Sequence, residues 1–113
     1  MHLLHTRRAL LVALLAATAA GTAQAAEPEF TLAIKNHRFE PAELTVPAGQ
    51  RIKLVVHNQD ATPEEFESHA LNREKVIPGG SKATIFIGPL KPGRYPFVGE
   101  YNETTAKGVV IAQ

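Results

Sequence analysis

Apolar residues recur at every second position through several short runs of this chain, and the runs are separated by prolines and glycines. Phe30, Leu32 and Ile34 share one parity, and so do Ile52, Leu54 and Val56. A period of two marks a strand with one buried face. The pattern predicts strands at residues 30–35, 44–46, 51–58, 65–71, 74–77, 83–87, 94–98 and 108–112. Pro47-Ala48-Gly49, Pro78-Gly79-Gly80 and Lys91-Pro92-Gly93 supply turns between them, and Pro41 a corner before the second. Asn72, Arg73 and Glu74 leave room for one helical turn at most. Seven or eight short strands with so little helix predict an all-β domain: a two-sheet antiparallel β-sandwich with Greek-key connections.

The first 25 residues follow a different rule. Residues 1–8 form a cationic head with Arg7 and Arg8, residues 9–20 are an apolar run, and Ala23-Gln24-Ala25 is a small-x-small cleavage site. This predicts a cleaved secretory signal at 1–25 and one domain at 26–113. The apolar run is too short to span a bilayer comfortably, and Glu27 and Pro28 follow it instead of a basic stop-transfer flank. A soluble periplasmic protein is the expectation. The arginine pair hints at twin-arginine export, but Thr6-Arg7-Arg8-Ala9 matches that signal poorly and ordinary Sec export fits better.

Removing the signal changes the charge. The full chain has a formal charge of +1, whereas residues 26–113 hold ten Lys/Arg and eleven Asp/Glu. No basic patch is left to suggest nucleic acid. The chain also has no Cys, so a small exported domain must be stabilised by sheet packing and, if it has one, a bound metal.

The strand predicted at 65–71 is the anomaly, because Thr62-Pro63-Glu64-Glu65-Phe66-Glu67-Ser68-His69 crowds four ionisable groups into six residues. With Phe66 inside, Glu65, Glu67 and His69 share the outer face. The strand order brings His37, residues 59–65 and residues 99–106 to one end, so Glu100 and Glu103 approach from the last loop. Carboxylates with one or two imidazoles suit Fe²⁺, Mn²⁺ or Cu²⁺, and an acid-rich set favours Fe³⁺ over Fe²⁺. Glu67 and Glu100 lead the candidate metal ligands, followed by Glu65, His69 and His37; Glu64 and Glu103 read as rim charges. The plain alternative is a solvated edge strand whose charges discourage aggregation. His57, on the face of Lys53 and Val55, reads as structural or surface. Tyr95 and Phe97 read as core, and Tyr101 as surface packing, with an electron-carrying or hydrogen-bonding role as the alternative. Ser68 and His69 point to opposite faces and cannot form a nucleophile-base pair, and no glycine loop cradles phosphate.

The order of these signals resembles the cupredoxin domain. Phe39-Glu40-Pro41-Ala42-Glu43-Leu44-Thr45-Val46-Pro47-Ala48-Gly49, a strand ending in Asn58, Leu90-Lys91-Pro92-Gly93-Arg94-Tyr95-Pro96-Phe97, and Lys107-Gly108-Val109-Val110-Ile111-Ala112 together cover nearly all of residues 26–113. The resemblance puts the copper-binding Cys at Gly99 and the following His near Asn102, and the chain's single Met is Met1. A blue-copper centre needs His₂Cys with a weak axial ligand, so this chain cannot hold one.

The run with the acidic strand, Leu71-Asn72-Arg73-Glu74-Lys75-Val76-Ile77-Pro78-Gly79-Gly80 and Gly99-Glu100-Tyr101-Asn102-Glu103 resembles more closely the small cupredoxin-like periplasmic component of bacterial ferrous-iron transport systems. The EfeO-type iron-uptake proteins share a Glu-aromatic-Glu strand there. Their cysteines have counterparts near Phe39 and Gly99, so their site chemistry does not carry over. The resemblance implies an iron or copper ion, an Ftr-type iron permease, an iron-binding periplasmic partner, and membrane contact only through that complex. It also implies oxidation of Fe²⁺ or delivery of iron; oxidation would need an acceptor such as O₂, bound Cu²⁺ or a redox component of the complex. Two alternatives stand: a copper-binding or electron-transfer protein with a colourless site, and a metal-free docking module for the permease.

Overall fold

The computed structural model describes residues 26–113; the predicted signal, 1–25, lies outside the described residues. Nine strands follow in order: β1 (Glu29–Lys35), β2 (Arg38–Glu40), β3 (Glu43–Val46), β4 (Ile52–Asn58), β5 (Glu64–Ser68), β6 (Arg73–Ile77), β7 (Lys82–Ile87), β8 (Gly93–Gly99) and β9 (Lys107–Ala112), with one 3₁₀ turn at Glu100–Asn102 between the last two. They form a four-stranded sheet, β2-β1-β4-β7, and a five-stranded sheet, β3-β9-β8-β5-β6. The all-β sandwich expected from the period of two is the observed fold.

The alternation does what the pattern requires. On β4, Ile52, Leu54 and Val56 are buried while Lys53, Val55 and His57 are half-buried on the other face. Leu32 and Ile34 of β1 meet them from the same sheet, and Phe66, Phe97 and Val110 face them from the other. Three phenyl rings form the centre: Phe97 stands edge-on to Phe39 at 4.8 Å and stacks on Phe66 at 5.1 Å. Such aromatic pairs contribute about 0.5–1.5 kcal/mol beyond the area they bury. Pro47-Ala48-Gly49 turns as expected, with Gly49 at φ +76°, a conformation that an L side chain rarely adopts.

Three features differ from the sequence expectation. Residues 38–40 form a strand of their own, which Phe39 alone could not announce because one apolar residue has no period. The sheets are mixed, with β1 parallel to β4 and β3 parallel to β9. The chain crosses to the second sheet at β3 before returning as β4, so β4 re-enters beside β1 in the same direction; periodicity says which face is buried but not which way a neighbour runs. The charged strand also stops at Ser68, and residues 69–72 turn, closed by the Asn72 N–H donating to the His69 carbonyl at 3.1 Å with Asn72 at φ 53°. Among the described residues, no helix is long and apolar enough to cross a membrane.

Candidate metal centre

Strand β5 carries its acids on two faces. Phe66 is fully buried, and its parity takes Glu64 and Ser68 inward with it; Glu64 is 1% exposed and Ser68 4%. Glu64 is therefore a buried group and not a rim charge, a placement that the same rule applied to Phe66 could have found. Its Oε1 accepts hydrogen bonds from the backbone N–H of Glu65 at 3.0 Å and of Tyr101 at 2.9 Å, and its Oε2 accepts one from the Asn102 side-chain amide at 2.6 Å. These donors offset the desolvation of the carboxyl group. The inward Ser68 hydroxyl donates to the Pro96 carbonyl at 2.7 Å.

The outer face holds the other acids. Register places Glu74 of β6 directly opposite Glu67 and diagonally across from Glu65, whose own partner is Val76. On the other side, Gly99 ends β8 opposite Phe66, and the 3₁₀ turn begins with Glu100. One carboxylate oxygen from each of Glu65, Glu74 and Glu100 then lies within 4.8 Å of the other two. Glu65 is buried, while Glu74 and Glu100 are exposed.

No ion pair among the described residues balances this trio: none of the five involves Glu65, Glu74 or Glu100. The Glu65 proton is correspondingly hard to remove: a shared hydrogen bond with Glu74, burial, and the Glu100 carboxylate push its pKa up to about 7. Glu67 is raised too, first by desolvation and then by Glu100, with His69 pulling the other way. An apolar depression of about 270 Å³ lined by Ala70, Pro96, Phe97 and Val98 lies beside Glu67. Desolvation and the charges of Glu65 and Glu100 raise the Tyr101 phenol in turn.

The predicted ligands divide into three groups. Glu65 and Glu100 converge. Glu67 and His69 stand beside the trio: the His69 Nε2 is 3.6 Å from the Glu67 Oε1, but His69 is 98% exposed in the turn after β5 and not on the strand. His37 is not brought to this group, because it occupies the β1–β2 turn at φ 55°, where its N–H donates to the Asp60 Oδ2 at 2.9 Å and its Nδ1 lies 3.6 Å from the same oxygen. Glu74 is not among the ligands that the sequence predicts. Its signal was the hairpin itself, since a turn at residues 69–72 pairs position 67 with position 74, whereas a strand drawn on to residue 71 hides that pairing.

A blue-copper centre does not fit. The described residues contain no Cys, and a side chain at Gly99, where the resemblance puts it, would place its Cβ 2.7 Å from the Glu64 Cδ and 2.7 Å from the Ala106 Cβ. The trio on the outer face fits a cation better. Oxygens bound to one ion at about 2.2 Å stand at most about 4.4 Å apart, and the three carboxylate oxygens lie within 4.8 Å of one another. Anionic oxygen donors suit a hard cation, and each proton displaced on binding links affinity to pH.

The chain belongs to the cupredoxin-like domain family, whose model matches residues 8–112. It is 43% identical over 83 residues to an uncharacterized protein, RP394, of Rickettsia prowazekii (strain Madrid E), covering 74% of this chain and 66% of that one, just under two thirds of the relative's length. Among solved structures it is similar to auracyanin A, a blue copper protein from Chloroflexus aurantiacus, with TM-score 0.63 and 16% identity over 75% of this chain and 98% of that one. The metal-binding domain of the Cu(I)-exporting P-type ATPase CopA of Streptococcus pneumoniae D39 gives 0.63 and 16% over 75% and 84%. At these identities the likeness is one of fold.

Proposed function

We propose that this protein is an exported cation-binding member of its family that serves ferrous-iron uptake, taking Fe²⁺ at Glu65, Glu74 and Glu100 with Glu67 and His69 at the margin. The observation that carries this reading is the convergence of three carboxylates, in no ion pair among the described residues, in a fold whose thiolate position is a packed glycine. An all-oxygen trio stabilises Fe³⁺ more than Fe²⁺, so iron held there is easier to oxidise. The resemblance of the acidic strand to iron-transport cupredoxins supports periplasmic delivery to an Ftr-type permease, with an iron-binding partner upstream. In that scheme Fe²⁺ gives up one electron to O₂ or to a redox centre of the membrane complex, and Fe³⁺ passes on.

Copper is the second reading, favoured by the blue-copper proteins among the fold neighbours. Anaerobic titration with Fe²⁺, Mn²⁺ and Cu²⁺, followed by oxygen uptake on adding iron, separates the two. Tight Fe²⁺ binding that Glu65→Gln and Glu100→Gln abolish, with oxygen consumed, supports the iron reading. Binding of Cu²⁺ alone transfers the site to copper. No binding of any of the three leaves the acidic end as a docking surface for a basic partner.

A further inference from the structure

Glu64 lies on the face of β5 opposite the trio, yet two of its three donors belong to the turn that carries Glu100. The Tyr101 N–H and the Asn102 amide both end on its carboxylate, and Gly99, which precedes that turn, offers no side-chain cap of its own. The far end of the turn is closed separately, by the N–H groups of Thr105 and Ala106 on the Asn102 carbonyl. The Glu64 carboxylate also fills the space into which a Cβ at residue 99 would project, so the strand end, the acid and the turn fit as one unit.

We infer that Glu64 is the positioning residue of the acidic site: through the Tyr101 backbone and the Asn102 amide it holds Glu100 over Glu65 and Glu74. This rests on the cation-binding reading above. Repulsion from the neighbouring acids would drive the exposed Glu100 towards solvent, and the hydrogen bonds to the buried Glu64 oppose that. The ion then meets three ligands already gathered, and less ordering remains to oppose binding. Glu64 acts through the backbone, since its side chain points into the sandwich and away from the ion.

The test is titration of the 26–113 domain with Mn²⁺, whose electron paramagnetic resonance spectrum reports binding and ligand symmetry. Glu64→Leu removes both acceptor oxygens at similar volume, and Asn102→Asp sets a second carboxylate against Glu64; each is expected to weaken Mn²⁺ binding about 10–100-fold and to broaden the spectrum. Glu64→Gln is expected to stay within about threefold of wild type, because its amide oxygen can accept both backbone N–H groups and Asn102 can turn its own oxygen to the new N–H. Asn102→Asp keeps the test decisive if Glu64→Leu does not fold. Wild-type binding in Asn102→Asp overturns the inference, and if Glu65→Gln still abolishes binding the site itself stands. Equal losses in Glu64→Gln and Glu64→Leu also overturn it, because the charge would then be acting on the ion directly. If the wild-type domain takes up no Mn²⁺, Fe²⁺ or Cu²⁺, both the inference and the reading beneath it fall.

Discussion

Glu74 stands directly across the β5–β6 ladder from Glu67, acid facing acid, and diagonally across from Glu65. Like charges set opposite each other destabilise a sheet. Glu74→Lys should therefore raise the melting temperature of the metal-free domain by roughly 2–5 °C while removing Fe²⁺ and Mn²⁺ binding. Melts with and without metal check both halves. A variant less stable than wild type in the presence of chelator would mean that the acids are not repelling.

The proton held by Glu65 sets a pH dependence. Its pKa is raised from 4.5 to about 7, so between those values the folded chain holds a proton that the unfolded chain has released. Stability from this group is full below about pH 4.5 and is lost as pH rises towards and through about 7. The groups facing it, Glu74 from β6 with Glu100 and Tyr101 from the turn, push in the same direction or stay neutral. Thermal melts in chelator across pH 4.5–8 should show a decline that Glu65→Gln flattens. With saturating Mn²⁺ the trend should reverse, because the cation replaces the proton and competes better as pH rises. Metal-free stability that climbs over this window in wild type but not in Glu65→Gln would contradict the assignment.

Gly99 is a packing requirement. A Cβ there would lie 2.7 Å from both the Glu64 Cδ and the Ala106 Cβ, and 2.9 Å from the Glu64 Oε1. Gly99→Ala should cost about 1–3 kcal/mol by overpacking and weaken metal binding, since the new methyl displaces the carboxylate that holds the turn. The midpoint of urea unfolding measures the first effect and Mn²⁺ titration the second.

The histidines separate by location. His37 is tied to Asp60, whose carboxyl is held below its usual range chiefly by the His37 N–H. His37→Ala keeps that N–H, and metal affinity should stay within twofold of wild type. His69 lies within 3.6 Å of Glu67 beside the trio, and His69→Ala should lower affinity about two- to tenfold. Parallel titrations of the two variants decide this, and a larger loss from His37→Ala would move the site to the other sheet.

Much of this was determined by the sequence alone. The period of two in residues 30–34 and 52–56 announces buried strand faces, prolines and glycines mark their ends, and the lack of Cys by itself excludes blue copper. Phe66 inward and Glu65 and Glu67 outward followed from parity, and Glu100 from its loop. Tertiary structure decided the rest. The hairpin register brought in Glu74, the 3₁₀ turn set Glu100 over Glu65, burial made Glu64 an anchor where it had read as a rim charge, and the turn at φ 55° gave His37 to Asp60. Parity is a property of one strand and can be read along the chain. Which strand lies beside it, in what direction, and with which residue opposite depends on contacts between segments far apart in sequence, and those are settled only when the two sheets pack.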